Sequence, residues 1–132
     1  MVVDTSALLA ILQREPEREG FLAAMAMASR RLISTASAVE TSMVVLSRSG
    51  EEGLRILDGL FGGLQIEKIP VTEDQVAMAV DAFRRFGKGR HAAALNFGDC
   101  FSYALAKATG EPLLFKGDDF SRTDLLPADS KS

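Results

Sequence analysis

Short apolar segments alternate with amphipathic segments along this chain, and the alternation restricts the folds that it can adopt. Met1–Asp4, "RLIST", "LQIEKIP" and "PLLFK" are apolar or β-branched runs of strand length, separated by segments with helical periodicity. Strands separated by helices form a mainly parallel sheet that is covered on both faces. We therefore expect one α/β domain over residues 1–127, and a disordered polar tail over residues 128–132.

The segments between the strands supply the helices of this expected fold. In the fifth of them, Thr72 is a candidate N-cap, and Val76, Ala79, Val80 and Phe83 follow the 3.6-residue period of an amphipathic helix. "DLLPA" is a candidate edge strand. The predicted helices are Ser6–Gln13, "EREGFLAAMAMAS", Ser37–Arg48, "SGEEGLRILDGLFGG", "TEDQVAMAVDAFRRFG" and "FGDCFSYALAKATG".

Charge and cysteine content narrow the classes of function. The chain has 132 residues and a net charge of −3, so an anionic substrate needs local cations to offset the repulsion. A single cysteine, Cys100, allows no intrachain disulfide, and no Cys or His pattern has zinc-site spacing. With no signal peptide and no apolar run of membrane-spanning length, we expect a cytoplasmic protein without a membrane partner.

Acidic residues stand where predicted strands end or predicted helices begin. Asp4 follows the first strand, and Glu40 lies about one turn into the helix after "RLIST". Asp99 lies at the start of a helix, and Asp118 and Asp119 follow "PLLFK". The carboxyl ends of parallel strands lie at one edge of a sheet. Residues far apart in the sequence are therefore expected to meet there.

Each of these acids also has a purely local explanation. Ser37 and Glu40 fit a capping box, and Asn96 and Asp99 fit helix-start chemistry in the same way. "GDDF" fits an ordinary turn. The local explanation weakens when the positions are taken together, because it must account for carboxylates at several caps along one edge.

Clustered carboxylates predict a divalent cation. Like charges in one site raise at least one carboxyl pKa unless a counter-charge is present. Ligands that are all oxygen suit Mg²⁺, or Mn²⁺ as an alternative, rather than zinc. Such an ion acidifies water and neutralises charge that develops on a phosphate. The acidic set therefore predicts metal-assisted hydrolysis.

Other chemistries fit the sequence less well. His91 is the only histidine, and no nucleophile elbow accompanies it, which disfavours a Ser-His-Asp triad. Cys100 is expected to pack in the interior. Lys116 after "PLLF" would suit a phosphoaspartate receiver, but "LQIEKIP" ends without the acceptor aspartate that this chemistry needs.

Three stretches of this chain resemble a known family. "VVDTSALLAIL", "STASAVETSMV" and "ALNFGDCFSYALAKATGEPLLFKGDDFSRTDL" resemble PIN domains, and more narrowly the VapC-type toxins of bacterial toxin–antitoxin pairs. The resemblance covers nearly the whole chain. It implies a compact three-layer α/β/α PIN-like fold, with a mainly parallel sheet of four to five strands, and a Mg²⁺-dependent endoribonuclease. A catalytically silent PIN-like module that binds RNA or protein is the alternative.

The resemblance also implies roles for particular acids. It makes metal ligands of Asp4, Glu40 and Asp99. The fourth acidic catalytic position falls on Asp118 or Asp119, and we favour Asp119 because it stands directly before Phe120, as in the "DF" ending of the family.

Several polar residues are candidates for the surroundings of this site. Thr5, Ser6 and Ser37 could support the metal ligands or act only as helix caps. "FRRFGKGRH" supplies Arg85, Lys88 and Arg90 as candidate phosphate contacts, with Gly87 and Gly89 making the segment mobile. The alternative is a solvated helix end. Phe86 and Phe97 could stack RNA bases, but we expect them in the core.

The resemblance further implies an RNA substrate, a homodimer and a cognate VapB-like antitoxin. The helices Gly20–Ala28 and Ser37–Arg48 carry the side chains that suit a partner helix or an ordinary core, namely Met25, Met27, Met43, Val44 and Leu46.

Overall fold

The structure, a computed structural model, describes residues 1–128, so the predicted tail lies outside the described residues from position 129 onward. A short 3₁₀ helix, Phe120–Arg122, follows the last strand. The strands and helices in chain order are β1 (Val2–Val3), α1 (Thr5–Leu12), α2 (Arg18–Met27), β2 (Arg31–Ser34), α3 (Thr35–Gly63), β3 (Ile66–Ile69), α4 (Glu73–Phe86), α5 (Phe97–Thr109) and β4 (Leu113–Leu114).

The four strands form one parallel sheet in the order β3-β2-β1-β4. This confirms the predicted parallel sheet. The candidate edge strand "DLLPA" is wrong as a strand, because its contact with β4 is an isolated parallel bridge between Pro127 and Leu113. Pro127 has no N–H group to donate to a strand ladder.

Helices cover both faces of the sheet, as predicted. Val3, Ile33 and Leu114 point into a core formed with α1, α2 and α3. Their chain neighbours Val2, Leu32 and Leu113 point into a second core formed with α4 and α5. Successive strand residues face opposite sides of a sheet, so these pairs of apolar residues build two cores from one layer of strands.

The helix α3 bends at Gly50, where the backbone has φ +64° and ψ −159°. The two helices predicted here therefore exist as two arms of one element. The predicted capping box at Ser37 is wrong: the N-cap is Ser34, whose Oγ accepts a hydrogen bond from the Ala36 N–H at 3.2 Å. The helix starts directly after β2 and leaves Ser37 buried inside its first turns.

The helix α4 turns an unexpected face toward the core. Thr72 caps it as predicted, accepting from Gln75 N–H at 3.2 Å. Its large apolar residues Val76, Val80 and Phe83 are 41–54% exposed. The residues buried on this helix are Gln75, Ala79, Ala82 and Phe86. Small alanines allow α4 to lie close against α5, so contact between the helices decides which face is buried.

The basic loop after α4 is tied down at both ends rather than loose. Lys88 N–H donates to Leu95 O at 2.8 Å, and Leu95 N–H donates to Phe86 O at 2.9 Å. A side chain at Gly87 would collide with Phe83, so this glycine permits close packing. No helix within residues 1–128 has the length and apolar character needed to cross a membrane.

Candidate active site

Asp4 lies at the carboxyl end of β1 and is 3% exposed. It is the N-cap of α1, and its Oδ2 accepts from Ser6 N–H at 3.0 Å and from Ser6 Oγ–H at 2.6 Å. Its Oδ1 accepts from Ser102 Oγ–H at 2.5 Å. The predicted cap and the predicted site residue are therefore the same group. These donors offset much of the cost of burying a carboxylate.

Glu40 projects from the second turn of α3 and packs against the first turn of α5. Its carboxylate lies over Gly98, and a Cβ atom built on that glycine would come within 2.6 Å of the Glu40 carboxyl carbon. Gly98 therefore leaves room for the Glu40 carboxylate directly beside Asp99. This contact brings Glu40 against the residue that directly precedes Asp99.

Asp99 belongs to a capping box at the start of α5, as the local explanation predicted. Its Oδ2 accepts from Asn96 N–H at 3.0 Å, and Asn96 Oδ1 accepts from Asp99 N–H at 2.9 Å. Burial raises the pKa of Asp99 to about 6. The Asn96 hydrogen bond opposes this rise, while the negative charges of Asp4, Asp119 and Glu40 add to it. The cap therefore sits in the combined field of the other three acids.

Asp118 and Asp119 lie in the turn after β4, and both are exposed. The negative charge of Asp119 is among the causes of the raised pKa of Asp99. The Asp119 backbone is helical, with φ −59° and ψ −51°, and directly precedes the 3₁₀ helix Phe120–Arg122. Asp118 instead uses its carbonyl to accept from Ser121 Oγ–H at 2.6 Å.

The acids suit a hard divalent ion because of their donor atoms, although within residues 1–128 they do not surround one point as a complete set of ligands would. Their donor atoms are all carboxylate oxygens, and the raised pKa of Asp99 reflects negative charge that a cation would offset. Within residues 1–128, no group of three His, Cys, Asp or Glu side chains is arranged to hold one ion. Mg²⁺ commonly keeps several waters and takes one or two protein carboxylates, so this arrangement fits a water-rich ion.

A layer of buried hydroxyl groups lies beneath the carboxylates. Thr5 Oγ1–H donates to the Ser37 carbonyl at 3.2 Å, and Thr41 Oγ1–H donates to the same carbonyl at 2.8 Å. Ser37 Oγ lies 3.3 Å from Ser102 Oγ. Sequence analysis missed Ser102, although a serine three residues after Asp99 in the apolar run "CFSYALA" was a usable signal.

The three residues predicted to contact phosphate differ in whether an acidic side chain among residues 1–128 pairs with them. Arg85 is ion-paired to Asp124 at 3.4 Å and to Asp81 at 3.5 Å, which anchors the C-terminal segment to α4. Lys88 is exposed, and the exposed Arg90 lies over the ring of Phe83 at 5.6 Å. All three predicted phosphate contacts are thus exposed, and within residues 1–128 only Arg85 of the three is ion-paired.

The aromatic and thiol predictions have mixed outcomes. Phe86 is 9% exposed and Cys100 is buried, as expected. Phe97 is 81% exposed, so the expectation that it packs in the core is wrong. It lies beside Phe101 with a ring separation of 4.9 Å, in a groove between α4 and α5.

A four-stranded parallel sheet flanked by helices is a PIN-like fold. Residues 1–126 match the model of the PIN domain, and the chain belongs to the PIN-domain family.

Within this family the chain is of the VapC type. It is 52% identical over 125 residues to Ribonuclease VapC30 of Mycobacterium tuberculosis, with 95% of each chain covered. The crystal structure of M. tuberculosis VapC20, described as a Sarcin-Ricin loop cleaving toxin, superposes with a TM-score of 0.76 at 20% identity over 95% of each chain. A toxin-antitoxin complex from Klebsiella pneumoniae gives a TM-score of 0.67 at 18% identity, covering 93% of this chain and 92% of that one.

Proposed function

We propose that this protein is a Mg²⁺-dependent endoribonuclease, acting in the cytoplasm as the toxin of a toxin–antitoxin pair. The observation that carries the proposal is the convergence of acids from three other parts of the chain on Asp99. Burial and the charges of Asp4, Asp119 and Glu40 raise the pKa of Asp99 to about 6. The similarity to a ribonuclease and to a toxin from Mycobacterium tuberculosis supports the same activity.

Asp4, Glu40 and Asp99 are the proposed ligands of Mg²⁺, or of Mn²⁺, with Asp119 as the fourth acid of the site. Asp4 is fixed by the hydrogen bonds from Ser6 and Ser102. Its Oδ2 accepts two of them and its Oδ1 accepts one, so Oδ1 keeps lone-pair capacity for a further partner. Asp99 uses Oδ2 for its cap and keeps Oδ1 for the site. These residues are thus held in place before substrate arrives.

The proposed reaction is hydrolysis of an RNA phosphodiester bond. When bound, Mg²⁺ supplies positive charge against the phosphate and lowers the pKa of water. The chain contributes fixed carboxylates at the sheet edge, and Lys88 and Arg90 provide exposed cations for neighbouring phosphates. Arg85 is the weaker candidate for RNA contact, because Asp124 and Asp81 already pair with it.

The test is cleavage of RNA by the purified chain with Mg²⁺, with Mn²⁺, and with EDTA. We expect cleavage with either metal and none with EDTA. Asp99→Asn keeps an oxygen for the capping box but loses the negative charge, so we expect at least about a hundredfold lower rate. Asp118→Asn is the matched control for Asp119→Asn, and only the second is expected to slow cleavage.

A catalytically silent PIN module that binds RNA or protein is the second candidate. The observation that favours it is that no three acidic side chains in the described part of the chain are arranged around one point. Binding of RNA without cleavage at any metal concentration would establish this alternative. Cleavage that persists in EDTA, or in Asp99→Asn, would also contradict the proposed nuclease site.

The proposed partners are a second copy of the chain and a VapB-like antitoxin. Of the Met-rich surface predicted from sequence, Met25 is fully buried, while Met27, Met43 and Leu46 are 43–88% exposed. The exposed part suits the apolar face of an antitoxin helix. The exposed row of Val76, Val80 and Phe83 on α4 suits the homodimer.

A further inference from the structure

We propose that Ser102 and Ser37 are positioning residues, which orient the Asp4 carboxylate and fix the spacing of the two helices that carry Glu40 and Asp99. The inference rests on the proposed function, because it assigns these hydroxyl groups a part in the same site.

The contacts form a continuous chain of polar atoms in the interior. Ser102 Oγ–H donates to Asp4 Oδ1 at 2.5 Å, and Ser37 Oγ lies 3.3 Å from Ser102 Oγ. Ser37 and Ser102 are each 1% exposed, and Asp4 is 3% exposed. Water therefore does not compete for these hydrogen bonds, and each group depends on its neighbour.

The directions of the hydrogen bonds follow from the number of protons. An ionised Asp4 can only accept, so Ser102 must use its single hydroxyl proton on Asp4. Ser37 must then be the donor in its contact with Ser102. The sequence of donation is Ser37 to Ser102 to Asp4, ending on a charge, which strengthens the final hydrogen bond.

Helix geometry places this pair directly beneath the acids. Ser37 precedes Glu40 by three residues on α3, and Ser102 follows Asp99 by three residues on α5. Residues three apart lie on one face of a helix. The contact between the serines therefore links the two faces that carry Glu40 and Asp99, and also holds the acid that follows β1.

The first test compares Ser102→Ala with Thr41→Val. Thr41 is also a fully buried hydroxyl residue in this region, but it donates to the Ser37 carbonyl and touches no acid. We expect Ser102→Ala to lower kcat by about tenfold with KM for RNA unchanged, in line with the loss of a group that orients a metal ligand. We also expect it to raise the Mg²⁺ concentration that half-saturates the rise in Tm, measured without RNA.

The second test is a double-mutant cycle. Because Ser37 acts through Ser102, we expect a smaller loss for Ser37→Ala alone and no additional loss when it is combined with Ser102→Ala. Ser102→Thr restores the donor and is expected to recover most of the Mg²⁺ response. Ser37→Ala retains the Ser102–Asp4 hydrogen bond. It therefore tests the donation from Ser37 through Ser102 to Asp4 even if Ser102→Ala does not fold.

Two results separate failure of this inference from failure of the proposed function. If Ser102→Ala matches Thr41→Val in kcat and in Mg²⁺ midpoint, or if the cycle is additive, the positioning role is wrong while the nuclease stands. If the unmodified chain shows neither metal-dependent cleavage nor a Mg²⁺ effect on Tm, the proposed function is wrong. The positioning role is then wrong as well, because it rests on that function.

Discussion

At the scale of single residues, two of the proposed metal ligands are also helix caps. Asp4 caps α1 and Asp99 completes the capping box of α5, so the local explanation of both residues is correct but incomplete. A cap places a carboxylate at a helix N-terminus, and a parallel sheet brings such termini to one edge. Removing Asp4 therefore costs a cap as well as a charge, which makes Asp99→Asn the cleaner probe.

The raised pKa of Asp99 predicts a pH effect on stability. Between about pH 4 and about pH 6 the folded chain retains a proton that the unfolded chain releases, so this group makes the fold less stable as the pH rises. In buffer with EDTA, the Tm of Asp99→Asn minus that of the unmodified chain should therefore increase from about pH 4 to about pH 7. Scanning calorimetry of both proteins measures this difference.

Asp118→Asn is the control for that experiment, because it removes the same charge from the residue next to Asp119, and Asp119 is the one of the two named among the causes of the raised pKa of Asp99. Its Tm difference from the unmodified chain should stay constant in this range. A constant difference for Asp99→Asn as well would mean that the charges of the other acids do not reach position 99.

At the scale of elements, the kink of α3 depends on one backbone conformation. Gly50 has φ +64° and ψ −159°, a region that side-chain-bearing residues rarely adopt, although nothing lies within 4 Å of the position of a Cβ atom there. Gly59 lies in the same helix with ordinary helical geometry and equally open space.

Alanine substitutions at these two glycines should have opposite effects. Gly50→Ala should lower the free energy of unfolding by about 1–3 kcal/mol, because of backbone strain. Gly59→Ala should raise it by up to about 1 kcal/mol, because of helix propensity. Urea denaturation measures both values, and an equal effect of the two would refute the role of the kink.

The exposed side of α4 predicts how two copies would pair. Glu73 stands at one end of the apolar row and Arg84 at the other, separated by roughly 16 Å of helix. In a two-fold antiparallel arrangement, each Glu73 faces Arg84 of the second copy. Glu73→Arg or Arg84→Glu alone should weaken the dimer by tenfold or more, and the double exchange should restore it.

Sedimentation equilibrium measures the dimer dissociation constant of each variant. Glu51→Arg, which changes charge by the same amount on an exposed part of α3, is the control. Since Glu73 and Arg84 cannot touch within one chain, recovery by the double exchange requires contact between copies. A dimer that tolerates both single exchanges would place the interface elsewhere.

The sequence allows the sheet and the acidic edge to be predicted, but not the orientation of α4. Consecutive apolar residues such as Val2 and Val3 predict a strand that is buried on both faces. Acids at the ends of parallel strands predict a site, because these ends lie at one edge of the sheet. Hydropathy gives most weight to large residues such as Val80, whereas the buried face of α4 is made by Ala79, Ala82 and Gln75. Ser102 was missed because its only signal is the spacing of three residues from Asp99, which gains meaning only once Asp99 is treated as a site residue.

At the scale of the whole molecule, the site exists only when the full fold is assembled. Asp4, Glu40, Asp99 and Asp119 come from β1, α3, α5 and the turn after β4, so no local fragment contains the set. An ion bound there would stabilise the fold, because the unfolded chain lacks the site.

Mg²⁺ should accordingly raise the Tm of the unmodified chain in a saturable way. The expected gain is about 2.7 kcal/mol at a concentration one hundred times the dissociation constant. Asp99→Asn should lose most of this response, while Asp118→Asn should keep it. Thermal unfolding followed by circular dichroism over a Mg²⁺ titration provides the measurement, and a response unaffected by Asp99→Asn would argue against the assigned ligands.

The close contact between Glu40 and Gly98 offers a way to inactivate the protein without altering its charge. A methyl group at position 98 would occupy the place of the Glu40 carboxylate and push it aside, while all four acids and the net charge of −3 stay in the chain. Under the proposed function, a folded Gly98→Ala protein would bind RNA without cutting it and would serve to collect substrate RNA for sequencing. It would also serve to isolate the proposed antitoxin from cells.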